Sequence, residues 1–439
     1  MAQLVVVAGI SALLGFALSA RLCWLVLCAL LLRTLIPQVA VPAIMGGDYF
    51  GNTHPSNFVV LGGLFGALTI GRHAGGFTSR RVFPFALAIV LLTTLAVVVT
   101  GIDGSLSDIV KLLANISLPL ICGLIVAVAV QEDPRAAREL GLGIVGIFII
   151  QCALIYLQQF TGQDILWEAQ RLAHTDFMGQ VDRPWGTFDS GLEAGALLAG
   201  VIPLLTIIRT DWLRIVLLLG FVGAELLTLS RIPALVGGVA VLYVLFSSGR
   251  STSVKSGTGT KFMTGVAVVI GLFVVWTNFG SGLAARFGLL DGEDESVDKH
   301  AAALDYALSN WAQYSVAGGG YRTGSATKGV ILETSLENAY FILLFDFGLV
   351  FVTGYVLVQA LSIIRGLRLG PVERHFAFSG MLLAVMALTS SGFANPSTWA
   401  PLMWVLLGVG IGASRESRPP SPDSNRFLAT SGQVGGALP

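Results

Sequence analysis

The feature that most constrains this chain is a succession of apolar stretches, each about as long as a membrane-crossing helix. They run from the first residues to about 413. A spanning helix needs about 20 mostly apolar residues, because the hydrocarbon core is about 30 Å thick and a helix rises 1.5 Å per residue. Stretches of this kind lie near 57–71, 83–100, 109–130, 140–160, 191–209, 212–229, 232–247, 262–280, 336–364, 376–391 and 398–413. The opening stretch, 3–36, is too long for one upright helix. It reads either as two short helices meeting near Arg21 or as one long tilted helix. The total expected is about 12 or 13 spans.

Composition narrows the class further. The chain has 439 residues, 54% hydrophobic and only 12% charged, against about 25% charged in soluble domains. That excludes a soluble globular enzyme, a disordered chain and a secreted disulfide scaffold. Lys and Arg number 26 and so do Asp and Glu; with no basic excess, nucleic acid is not an expected partner. The remaining class is an all-α polytopic membrane protein in contact with membrane lipids. The four cysteines, Cys23, Cys28, Cys122 and Cys152, all sit inside apolar runs and read as small buried hydrophobes. The N-terminus has no basic segment ahead of its apolar stretch, so no cleavable signal peptide is expected.

Loop charges give a topology. Loops 72–81, 135–138, 209–214, 250–261 and 365–374 and the tail with Arg415, Arg418 and Arg426 are basic, and the positive-inside rule places them in the cytoplasm. Loops 37–56, 101–108, 161–190, 281–335 and 392–397 and the turn Ser230-Arg231 then fall outside without conflict. The zero net charge is therefore a cancellation, acidic outside and basic inside. The longest outer loop, 281–335, holds an acidic run from Asp291 to Asp298 and a helix-like stretch, 300–314. There Leu304, Leu308 and Trp311 fall on one helical face. That stretch is too short and too charged to cross, so it is expected on the interface or as a cap on the bundle. The chain divides into N-terminal transmembrane helices (1–160), a core with both long outer loops (161–413), and a Ser-, Pro- and Gly-rich tail (414–439) expected to be disordered.

Charges at a membrane edge are costly and so mark candidate sites. Arg231 follows Thr228-Leu229-Ser230 at an outer junction of two spans, where it is either a snorkelling interface residue or an anion ligand near a helix start. Arg183 precedes the turn Pro184-Trp185-Gly186-Thr187-Phe188 and reads as a loop cation or an anion ligand. Trp185 fits an aromatic belt or a sugar-stacking platform. Glu337 and Asn338 enter a long apolar helix from outside. A carboxylate there either complements the helix dipole or, partly desolvated, serves as a general base. The run Gly318-Gly319-Gly320-Tyr321-Arg322, with Lys328, offers tight turns and backbone N–H groups for an anion, or is a flexible loop. Glu225 and Asp346 lie within spans, as proton-relay residues or as buried polar contacts between helices. The histidines form no metal-type cluster, so no metal is expected.

The order Arg-x-x-Gly-Thr-Phe (183–188), Thr-Leu-Ser-Arg (228–231), a large outer loop (281–335) and Glu-Asn-x-Tyr (337–340) ahead of Gly348 resembles the O-antigen ligase / O-antigen polymerase family of bacterial membrane glycosyltransferases. The resemblance spans about 180 to 360; the N-terminal half matches only as a set of apolar spans. It implies a GT-C-like fold with a large outer loop between late helices. It implies a donor glycan on a polyprenyl diphosphate, transferred to the hydroxyl of a glycan or glycolipid acceptor on the outer face of the bacterial inner membrane. No cofactor is implied. By motif match, Arg183 and Arg231 would hold the diphosphate and Glu337 would take the acceptor proton. By the same match Asn338 and Tyr340, which complete that motif, Trp185, and the outer-loop cations Lys299 and Arg322 would bind substrate. Two positions depart from the family pattern: Glu337 stands where His is usual, and Lys299-His300 where an Arg often opens the loop helix. A transporter or flippase of a lipid-linked glycan, and a non-catalytic relative that scaffolds envelope assembly, are the alternative readings.

Overall fold

The structure is a computed structural model that describes residues 2–47, 53–71, 73–164, 166–172, 183–247, 295–327, 331–332 and 336–414. The candidate span 262–280, residues 281–294 and 328–330 of the outer loop (Lys328 among them), Glu333, Thr334 and Ser335, and the tail beyond 414 lie outside the described residues. All regular structure among the described residues is helical. That is the expected outcome for segments this apolar: with no water to bond, each backbone N–H and C=O must be paired inside the segment.

The main helices are α1 (Ala2–Leu18), α2 (Leu22–Leu35), α3 (Pro55–Thr69), α4 (Phe83–Asp103), α5 (Leu106–Glu132), α6 (Ala136–Thr161), α7 (Gly191–Ile207), α8 (Asp211–Leu227), α9 (Arg231–Ser247), α10 (Glu295–Asn310), α11 (Ala339–Leu367), α12 (Pro371–Met386) and α13 (Trp399–Gly412). Local chemistry sets where they begin. Proline occupies the first turn of α3, α4 and α12, where its missing N–H costs nothing. A reciprocal cap between Ser105 and Asp108 opens α5. Ser190 accepts from the Glu193 N–H at the start of α7, and the Asn338 side chain accepts from Tyr340 and Phe341 at the start of α11.

The opening apolar stretch is two helices, α1 and α2, broken at Ser19–Arg21. Beyond α2 the chain turns by 81° into a short helical piece, Gln38–Met45, so the broken pair is either a kinked span or a re-entrant loop. Among the described residues, four helices are long and apolar enough to cross a bilayer, Phe83–Ile102, Leu106–Glu132, Ala136–Thr161 and Ala339–Leu367, and the bent pair makes five. The other apolar stretches among the described residues form shorter helices. In α7 this has a local cause, because Pro203 cannot donate and the last turns tighten to a 3-10 helix, Ile202–Ile207.

The core is built on α13 and the Leu118–Glu132 part of α5, whose residues are almost all buried. These two lie backbone to backbone. A Cβ on Gly408 would sit 2.3 Å from the Gly123 carbonyl oxygen, and one on Gly412 would sit 2.1 Å from that of Ala127. Small residues four apart let transmembrane helices approach this closely. Outward faces carry large apolar side chains: Val5, Leu13, Phe65, Leu91, Phe160, Leu235, Phe246 and Val350 are each more than half exposed. So extensive an apolar surface fits a hydrocarbon surrounding. In α10, Ala303 and Ala307 pack inward, while the Leu304, Leu308 and Trp311 stripe remains exposed, as a helix lying on an interface requires.

Candidate functional site

At one end of the bundle, the segment 183–189 is held rigidly by two glutamines of α6. Gln158 accepts from the Trp185 and Gly186 N–H groups at 3.0 and 2.8 Å and donates to the Gly186 carbonyl at 2.7 Å. Gln151 accepts from the Thr187 N–H at 3.2 Å and donates to the Thr34 carbonyl at 3.1 Å, and the Thr187 hydroxyl also donates to Thr34. Arg171 adds a third brace. It donates to the Gly186 and Phe188 carbonyls, pairs with Asp164 at 2.6 Å, and lies 4.7 Å over the Trp185 ring. Trp185 is thus buried beneath a guanidinium. The sequence offers this tryptophan as a belt residue or an open stacking platform; its ring is instead part of the brace that fixes the loop.

This bracing delivers Arg183 to the start of α7. A Cβ on Gly191 would lie 3.9 Å from both Cβ and Cδ of Arg183 and 3.1 Å from the Thr228 carbonyl oxygen. The two short arginine motifs, 45 positions apart between Arg183 and Thr228 in the chain, therefore flank the same glycine. The turn is itself tightly drawn. Thr228 donates its hydroxyl to the Glu225 carbonyl at 2.7 Å, Leu229 takes a left-handed φ of 52°, and the Ser230 hydroxyl donates to the Thr228 carbonyl at 3.3 Å. Arg231 follows, half-buried, as the first residue of α9. Two arginines and the N-termini of α7 and α9 are gathered here, a setting that favours an anion.

Beside this lies a charged cluster that the motif reading passed over. Arg33, buried near the end of α2, donates to the Ser397 carbonyl at 3.2 Å. Glu193 is buried and accepts from the Thr398 N–H at 2.7 Å and the Asp189 N–H at 3.3 Å. Asp189 accepts from Val39 at 3.4 Å. Burial pushes the Asp189 carboxyl up to about 6, against the opposing pull of Arg33. His54, buried one turn from this group, bonds the Ile36 carbonyl at 2.9 Å, and burial and Arg33 together hold its pKa well below the usual histidine value. The signal for this cluster was present in the sequence: Arg33 and Glu193 are charges inside or at the edge of apolar runs, which is a functional mark by itself.

The third motif opens α11 at the same end. The Ala339 N–H is shared by the Ala387 and Ser390 carbonyls, at 2.9 and 3.0 Å, in the loop that runs on to Ser397 and Thr398. Asn338 is consumed as the helix cap, at 3.0 and 3.1 Å. The Tyr340 hydroxyl donates to Gln359 at 3.0 Å and lies 3.1 Å from the Ala384 carbonyl. Both residues are thereby structural in this state of the chain. Glu337, immediately before the cap, is half-buried. Lys299 lies in the first turns of α10.

The glycine-rich run has a definite partner. Gly319 and Gly320 donate to the Phe345 and Asp346 carbonyls at 2.8 and 2.9 Å, while Arg322 and Gly324 donate to the two Asp346 carboxylate oxygens at 3.2 and 2.8 Å. The loop's N–H groups thus bind an anion, and the anion is Asp346 itself. They meet α11 at its break, where Gly348 takes a φ of 82° and a ψ of 173°. Only glycine fits on either side: a Cβ on Gly318 would stand 2.4 Å from the Asp346 carbonyl oxygen, and one on Gly348 2.8 Å from that of Val316. Asp346 is therefore a buried polar contact. Glu225, 2% exposed, differs, because its Oε1 has no hydrogen-bond partner among the described residues.

Comparison with protein-family models finds none that matches the chain, and no curated protein matches it.

Proposed function

We propose that this chain is a bacterial inner-membrane glycosyltransferase that moves a glycan from a polyprenyl diphosphate to an acceptor hydroxyl on the outer face, in cell-surface polysaccharide assembly. The reading includes a GT-C-like bundle of about 12–13 spans with its large outer loop at 281–335. The observation that supports it best is the meeting of the two arginine motifs at Gly191, with Arg183 on one side and the turn leading to Arg231 on the other.

The chemistry needs such a site. The acceptor hydroxyl oxygen attacks the anomeric carbon and forms the new C–O bond. The bond from that carbon to the diphosphate oxygen breaks, and its electron pair leaves on the diphosphate. Arginines offer planar, permanently charged forks to the phosphoryl oxygens as that charge develops. Glu337 takes the hydroxyl proton as attack proceeds. One displacement of this kind inverts the anomeric configuration. Transport of the lipid-linked glycan instead requires charges along a path through the bilayer. Asp346 is occupied by the glycine-rich loop, which leaves Glu225 as the deep carboxylate open to that role.

The test is genetic and chemical together. Cells lacking the protein are expected to accumulate a polyprenyl-diphosphate-linked glycan on the outer leaflet, and Arg231→Ala is expected not to relieve that accumulation. Accumulation on the inner leaflet would support a flippase and overturn the proposal.

A further inference from the structure

A cavity of about 530 Å³ opens between α1, α3 and α5, a size usual for small-molecule sites. Val5 and Ala8 of α1, Phe58 and Leu61 of α3, and a face of α5 from Val110 to Ile121 line it. Thr53 and Ser117 are its polar lining residues, and the Ser117 hydroxyl accepts from Thr93 at 3.1 Å. A buried water needs several polar partners, so this slot is made for hydrocarbon. Left empty, it would forfeit dispersion contacts along three helices. The slot also has a built feature. Leu113–Ser117 of α5 form a wide π turn, a device frequent at functional sites. Leu113, Ala114 and Ser117 of that turn line the cavity, while Asn115 donates to the Tyr321 hydroxyl at 2.7 Å.

Length and charge select the occupant. From Val110 to Ile121 the helix rises about 16 Å, close to one leaflet of a hydrocarbon core about 30 Å thick. An acyl chain has that reach, whereas a polyprenyl chain is longer. Lys111 follows Val110 in the first turns of α5 and is half-buried. Asp108, three residues earlier, has its carboxylate bonded by the Ser105 N–H and hydroxyl at 3.0 and 2.7 Å. A cation where the slot begins suits a phosphate headgroup. None of the three lining helices carries an arginine motif. We propose that this cavity binds one acyl chain of an anionic phospholipid, with the lipid phosphate at Lys111.

The experiment strips lipid from the full chain in detergent and adds back phosphatidylglycerol, phosphatidylcholine or a polyprenyl diphosphate. Retained lipid and melting temperature are measured together. Phosphatidylglycerol is expected to stay bound to the wild type and to raise its melting temperature, as a ligand of the folded state does. Ala8→Phe, which fills the slot from α1, is expected to abolish both effects, and Ala114→Leu to do so from α5. Lys111→Gln is expected to weaken phosphatidylglycerol binding about fivefold, the loss of one cation near the membrane surface, and to leave phosphatidylcholine unaffected. That variant changes nothing in the core, so it reports even where a filled variant does not fold. Wild-type retention and melting shift in a folded filled variant would overturn the site. Unchanged phosphatidylglycerol affinity in Lys111→Gln would overturn the headgroup assignment. Displacement of phosphatidylglycerol by the polyprenyl diphosphate would also overturn the proposal, giving the slot to a polyprenyl chain instead.

Discussion

Gln158 offers the sharpest test of how the site is held. Its side chain satisfies two buried backbone donors, the Trp185 and Gly186 N–H groups, and one carbonyl, that of Gly186. Gln158→Leu keeps a comparable volume, so a cavity contributes little. The Gly186 carbonyl retains Arg171 at 3.2 Å. The Trp185 and Gly186 N–H groups lose the Gln158 oxygen that accepts from both. Stranding a buried donor costs about 1–3 kcal/mol, so the pair costs about 2–6 kcal/mol, a large share of a net stability of roughly 5–15 kcal/mol. That cost falls first on segment 183–189, which opens locally before the bundle does. The assay is limited proteolysis of the purified chain in detergent, with thermal melting alongside. Gln158→Leu should be cleaved within 183–189 under conditions that spare the wild type, and glycan transfer should fall because Arg183 is no longer held at Gly191. A variant with wild-type cleavage and melting would refute the reasoning, since it would show that these hydrogen bonds do not hold the loop.

Three further outcomes are expected. Arg183→Ala and Arg231→Ala should abolish transfer while shifting stability by no more than about 1 kcal/mol, as partly exposed side chains allow; full activity in both would remove the diphosphate assignment. Glu337→Gln should lose most of the rate and Glu337→His should retain part of it, measured as initial transfer rates; normal turnover by the Gln variant would remove Glu337 as base. Burial holds the Asp189 carboxyl, beside the buried Glu193, above its unfolded value of about 4. The folded state therefore binds more protons than the unfolded chain above about pH 4, and stability should fall as pH rises from there. Asp189→Asn should flatten that part of the melting profile, and an unchanged profile would remove Asp189 as its source.

The helices were legible because the signal for them is long and redundant. An apolar run such as 109–130 places every residue on the same side of the argument, and α5 appears there within a few residues of its expected ends. Breaks were harder to read. The bend after Leu35 and the break at Gly348 depend on what packs against the helix from distant parts of the chain, and an isolated Pro37 or Gly348 does not announce that. The arginine motifs were visible as charges near the membrane edge. Their meeting at Gly191 was not, because it depends on the Gln151 and Gln158 braces, which read in sequence as ordinary polar positions of an apolar helix. Motif position assigns Trp185 and Asn338 to substrate, and it does not announce the supporting contacts they make in the fold, under Arg171 and as the cap of α11. The glycine run reads in sequence as an anion cradle or a flexible loop; in the fold the N–H groups of Arg322 and Gly324 meet the Asp346 carboxylate, 24 residues further along the chain from Arg322.

The most direct measurement uses the purified chain in proteoliposomes supplied with a polyprenyl-diphosphate-linked glycan and a glycolipid acceptor. Glycosylated acceptor and free polyprenyl diphosphate should form in equal amounts, with the anomeric configuration inverted and with both products lost in Arg231→Ala. Movement of intact donor between leaflets with neither product formed would contradict the account.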